Sequence, residues 1–167
     1  VVWGGAAISV YPRGCGGDAS AYSTELSSDV VSVTGARQAF AALKSDGSVI
    51  AWGDSYHGGV LGVDNNGYNS QIAANLSSGV TEVFSNNRAF VALKTDGSVV
   101  SWGSSSSGAV LPNSGTDLPS GVTTIFSSVS SDIFVALKSD GSIISWGGGI
   151  PTDNGNRSNI GESFGES

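Results

Sequence analysis

The sequence predicts an all-β protein made of small antiparallel sheets, repeated so that each covers the next, as the blades of a β-propeller do. Three observations predict it. A twelve-residue string recurs: ALKSDGSVIAWG from Ala42, ALKTDGSVVSWG from Ala92 and ALKSDGSIISWG from Ala136. Within each copy an Asp-Gly pair separates two apolar runs, which is the strongest short-range hairpin signal. The runs are rich in Val, Ile, Phe and Thr, which favour strands, and they lack a helical period.

Each element follows from these repeats. Phe40, Phe90 and Phe134 stand twelve residues before Trp52, Trp102 and Trp146. AFVALK and SVVSW read as two strands joined at the Asp-Gly turn, for which a type I′ geometry is expected. Upstream, SSDVVSV (27–33), SSGVTEVFS (77–85) and PSGVTTIFS (119–127) each supply a further strand. The third copy has two more residues between Gly121 and Phe134 than the second has between Gly79 and Phe90, which predicts a longer turn after Phe126. VVWGG (1–5) matches the end of a unit, with Trp3 in the Trp position. The strands are apolar on both faces, so both faces need cover. The Trp closing each unit is expected to be the wedge between blades. A solenoid of stacked sheets is the rival geometry. The expected division is a repeat domain over 1–149 and a polar tail or docking arm over 150–167. The domain divides into a partial blade (1–28) and blades near 29–78, 79–120 and 121–149. About three and a fraction blades do not close a ring of the usual four to eight or so. Part of a larger propeller or an open arc held by partners is therefore expected, ahead of ring completion by association.

Composition narrows the function. The chain has 167 residues, 39% hydrophobic and 13% charged, with 25 Gly and a net charge of −7. Seven basic residues make no cationic stripe, so nucleic acid is not an expected partner. No apolar run is long enough for a membrane-spanning helix. Cys15, the one cysteine, makes no internal disulfide and is read as a small buried or turn residue.

On the strings ALKSDGSVIAWG, ALKTDGSVVSWG and ALKSDGSIISWG the chain resembles the regulator-of-chromosome-condensation repeat family. The hallmark is a small-residue strand, an Asp-Gly turn and an apolar strand closing on Trp-Gly. The match reaches to about residue 149. The resemblance implies a β-propeller, usually of seven four-stranded blades. It implies no single function, since one member is a guanine-nucleotide exchange factor and a bacterial branch inhibits β-lactamases.

Catalytic chemistry finds little support. His57 is the only histidine, with no second His or Cys nearby, so a metal site is not expected and His57 is read as an exposed loop residue. Asp46, Asp96 and Asp140 are accounted for by the hairpin turns, and Lys44, Lys94 and Lys138 by flanking those turns or screening an edge strand. GVDNNGYNS (62–70) lacks the register of a calcium loop and reads as an insertion. No cofactor and no enzymatic activity are expected.

Binding groups in repeat proteins sit on the variable segments between rigid units. Those segments are 5–28, 54–78 and 104–120. The candidate partner contacts are Tyr11, Arg13, Tyr22, Tyr56, His57 and Tyr68, with Phe164 in the tail, because Tyr and Arg are enriched among interface anchors. The expected function is a non-enzymatic protein-interaction or scaffold module within a larger assembly, bound to a protein partner or to itself. An extracellular carbohydrate-binding or adhesive module is the alternative, and nucleotide exchange is a remote one resting on the resemblance.

Overall fold

A computed structural model describes residues 17–61, 63–64, 67–68, 70–111, 117–118 and 120–148. Tyr11, Arg13, Cys15 and Phe164 lie outside them. The first blade sheet holds β1 (Val30–Gly35), β2 (Ala39–Lys44) and β3 (Val49–Gly53). A small hairpin of β4 (Val63–Asp64) and β5 (Gly67–Tyr68) and one turn of helix, α1 (Ser70–Asn75), follow. The second blade holds β6 (Val80–Ser85), β7 (Ala89–Lys94), β8 (Val99–Gly103) and, as a fourth strand, β9 (Asp117–Leu118). The third holds β10 (Val122–Ser128), β11 (Ile133–Lys138) and β12 (Ile143–Gly147). Every pairing is antiparallel. The blades form an open arc.

The repeated letters become repeated geometry. Phe40, Phe90 and Phe134 pair across the sheet with Trp52, Trp102 and Trp146. Each pair stacks, with ring centroids 5.6, 5.2 and 5.7 Å apart. A register shift recurs in the first strand of every blade, at Val30/Ser32, Val80/Glu82 and Val122/Thr124. Such a bulge bends the strand and increases its twist. The hydroxyls of Thr81 and Thr123, the extra residues, donate to the carbonyls of Leu93 and Leu137.

The Asp-Gly turn is not type I′. Gly47, Gly97 and Gly141 have positive φ, but no Asp before them does. The Gly47 amide donates to the Lys44 carbonyl, and the Lys44 amide to the Ser48 carbonyl. These bonds define a three-residue loop, Ser45-Asp46-Gly47, in which a type I turn ends on a left-handed glycine. Asp46 Oδ1 accepts from the Ser48 amide at 2.9 Å and from its hydroxyl at 2.6 Å. Asp96 with Ser98, and Asp140 with Ser142, repeat this. The serine hydroxyl, then the serine amide, hold all three carboxyls below the usual aspartate range. A carboxyl more acidic folded than unfolded stabilises the fold above its unfolded pKa, and that contribution fades as pH falls through the folded value. The triple variant D46N/D96N/D140N is therefore expected to lose less stability than the wild type between about pH 5 and about pH 2. Thermal unfolding followed across that range checks this, and equal slopes would refute it.

The core lies between the blades. Ala41, Leu43 and Val49 of the first blade pack against Val83, Phe90 and Trp102 of the second. Val91, Leu93 and Val99 of the second pack in turn against Ile125, Phe134 and Trp146 of the third. β6, β7 and β8 of the second blade thus each give one face to the first blade and the other to the third. Ala39 and Ala41 of β2 and Ala92 of β7, all fully buried, meet at the first junction and let the sheets approach closely. α1 and the turn that follows it cover one edge of the first junction through Ile72 and Leu76, both buried.

Lys44 and Lys94 are anchors, beyond their expected place beside the turn. The Lys44 ammonium donates to the Glu25 carbonyl at 2.7 Å and that of Lys94 to the Asn75 carbonyl at 2.8 Å. Each holds the connector that leads into its own blade. Lys138 instead lies 3.9 Å from Asp140.

Candidate functional site

Of the predicted contact residues, Tyr56 and His57 are brought together. Gly53 turns the chain out of β3 into a single 3-10 turn, Ser55–His57, which ends on left-handed Gly58. The Asp54 amide donates to the Gln38 carbonyl, and the His57 and Gly59 amides donate back to Asp54. This holds His57 Nδ1 at 2.7 Å from Asp54 Oδ1. Both residues are buried, so His57 is not the exposed loop residue expected. Its ring stands edge-on to Tyr56, with centroids 5.5 Å apart.

Ser107 holds the His57 position in the next unit. Its hydroxyl donates to Asp132 Oδ2 of the third blade at 3.1 Å, and its carbonyl accepts from Asn86 at 2.7 Å. The Asn86 carboxamide also accepts from the Arg88 and Ala89 amides. These post-Trp turns are polar fasteners. In the second unit the fastener crosses to the next blade, and in the first it closes on its own Asp.

Tyr22 belongs elsewhere. It is half-buried against Ala42 and Trp52, with Leu26 beside it, and these two stand where Ile72 and Leu76 stand in the next unit. It serves as packing for the first blade. Tyr68 lies in β5, opposite Val63. Among the described residues no group of three or more His, Cys, Asp or Glu is placed to hold a metal ion. No described helix is long and apolar enough to cross a membrane.

An open arc is expected to expose an apolar blade face, and the structure supplies the residues, which the choice of variable-segment tyrosines did not single out. Val33 is 55% exposed, whereas Val83 and Ile125, in the same place on the other blades, are 7% and 3% exposed. At the other end Ile143 is 42% exposed, against 5% for Val49 and 0% for Val99. Phe126 is 58% exposed, where its counterpart Phe84 packs into the second junction. Isolated apolar residues on a surface are ordinary, but these extend blade faces that are core elsewhere in the same chain. The available signal was positional: apolar letters in the outermost units, at positions that need a neighbouring blade.

Trp52 carries a second mark of the same kind. The Trp102 indole N–H donates to the Gly58 carbonyl and that of Trp146 to the Gly108 carbonyl, both at 3.0 Å. Each acceptor belongs to the turn that closes the preceding unit. The Trp52 indole nitrogen is buried without an acceptor among the described residues.

No protein-family model matches the chain, and no curated protein matches it by sequence. Solved structures do match by shape. Human WBSCR16 aligns with a TM-score of 0.52 at 20% identity, over 78% of this chain and 37% of that one. Yeast RCC1 (Prp20), in its complex with Kap60, aligns at 0.49 with 22% identity, over 75% and 32%. The structure of Prp20p from Saccharomyces cerevisiae, described with its binding to Gsp1p and histones, aligns at 0.43 with 21% identity, over 75% and 33%. The chain spans about a third of the length of these proteins. Its fold is that of RCC1-type β-propeller repeats, three blades of which lie within the described residues.

Proposed function

We propose that this chain is a non-enzymatic interaction module, a rigid arc of propeller blades that joins a protein assembly through its outer blade faces. The observation that carries this reading is the exposure of Val33, Phe126 and Ile143 at positions whose counterparts are core or packed between blades. Inside the arc, apolar blade faces are stabilised by another sheet, so exposed ones favour association. The carbohydrate alternative needs an open aromatic platform. Trp52, Trp102 and Trp146 are instead buried and stacked on phenylalanines. Tyr56, half-buried beside the buried His57, is proposed as a rim contact flanking the first blade.

The test is the mass of the native particle together with lysine cross-linking. The expected result is a particle heavier than 16.7 kDa, with cross-links to protein from Lys44 or Lys138, carried by the first and last blades. A lone 16.7 kDa particle without cross-links would overturn the reading.

A further inference from the structure

Resting on that reading, we infer that the partner at these faces is a second copy of this chain, joined head to tail. The third blade's outer face would sit on the first blade's outer face. The two internal junctions are the template. At each, one blade presents its Val91, Leu93 and Val99 type of face, and the next presents its Val83, Phe90 and Trp102 type. The first kind stands open on the third blade, at Val135, Leu137 and Ile143, none of which reaches the burial of its counterparts. The second kind is open along one edge of the first blade, where Val30 and Val33 are exposed, while Trp52 and Ala42 of that face are already covered by Ala19, Tyr22 and Leu26. The exposed parts of these two faces correspond to the two sides of a junction that this chain already builds twice.

Backbone groups repeat the match. At the internal junctions the Gly47 carbonyl accepts from the Val80 amide, and the Gly97 carbonyl from the Val122 amide, both at 3.0 Å. The same pairing between copies would join the Gly141 carbonyl to the Val30 amide. Space beside Gly141 is free, with nothing within 4 Å of where a Cβ would lie, whereas Gly47 and Gly97 abut the next blade's backbone.

The joint is heterologous, so it either closes a ring or propagates. Two arcs bring three described blades each, besides the partial blades expected over 1–28, which stays within the roughly four to eight of closed propellers. Closure after two copies is therefore expected, with both joints identical.

Native mass spectrometry and sedimentation of the full chain test this, beside variants V33K and F126K/I143K. All three substituted residues are exposed, so the variants are expected to keep the wild-type circular dichroism, and the wild-type unfolding temperature at concentrations low enough to keep copies apart. The wild type is expected at twice 16.7 kDa at tens of micromolar, and each variant at 16.7 kDa. A wild type at 16.7 kDa at every concentration overturns the self-pairing. If that monomer still cross-links another protein, the scaffold reading survives, and without any cross-link both fall. A dimer broken by V33K alone, or by F126K/I143K alone, means like faces meet, and overturns the head-to-tail arrangement. A dimer broken by neither overturns it as well.

Discussion

Gly97→Ala is expected to destabilise the folded chain by about 2–5 kcal/mol, against about 1–2 kcal/mol for Gly141→Ala. The two glycines hold the same place in their turns and nearly the same φ, +75° and +83°. The cost of a left-handed alanine is therefore common to both, at roughly 1–2 kcal/mol. The difference is what lies beside them. A methyl on Gly97 would come within 2.9 Å of the Gly121 nitrogen and 3.1 Å of the Val122 oxygen. Those atoms are backbone at the start of the third blade and cannot swing aside, so the junction must open, an overpacking cost of about 1–3 kcal/mol. Gly47→Ala is expected to behave like Gly97→Ala, since its methyl would come within 2.6 Å of the Gly79 nitrogen. Urea unfolding at concentrations that keep copies apart measures all three. Equal losses at Gly97 and Gly141 would show that the turns are not part of the blade junctions.

That contrast between equivalent positions explains why some of the structure was legible in the sequence and some was not. Strands, hairpins and stacked aromatic pairs depend on local letters: the Phe and Trp twelve apart, and the Asp-Gly between apolar runs. Repetition made these signals strong. Even there, the turn type depended on one residue beyond the pair. Ser45 lengthens the loop, so the aspartate stays at negative φ and only the glycine is left-handed. The lysine partners are carbonyls 19 residues upstream, and no local pattern announces a bond of that span. α1 did leave a trace, Ile72 and Leu76 one helical turn apart, weakened by the polar residues around it.

The candidate site was less legible because it depends on context. Asp54 and His57 are three residues apart, a spacing that already permits a pair across one turn, yet burial of that pair comes from the surrounding blades. Val33 reads like Val83, and Ile143 like Val99. Only the assembled arc separates the members buried between two sheets from those facing outward. The composition-based choice of tyrosines ran into the same limit, since Tyr22 fills a packing position that aliphatic Ile72 takes in the next unit.

The same comparison of equivalent positions yields the second large effect. Trp102→Ala is expected to cost about 3–5 kcal/mol, a large part of a typical domain's stability. Trp102 is fully buried, stacks on Phe90 with planes 13° apart, and bonds the first unit's turn through Gly58. Trp102→Phe separates these roles. It keeps an aromatic ring in the stack but removes the donor, leaving the Gly58 carbonyl without its partner, a loss of about 1–3 kcal/mol besides the smaller ring. Trp146→Phe should match it, through the carbonyl of Gly108. Trp52→Phe should cost less than either, because it deletes a buried N–H that has no acceptor among the described residues. The ring change is the same in all three, so the difference isolates the hydrogen bond to the preceding blade. Unfolding free energies of the three variants, again at dissociating concentrations, provide the measurement. If Trp52→Phe costs as much as Trp102→Phe, the indole bond to the preceding turn does not fasten one blade to the next, and the stacked rings alone hold the junction.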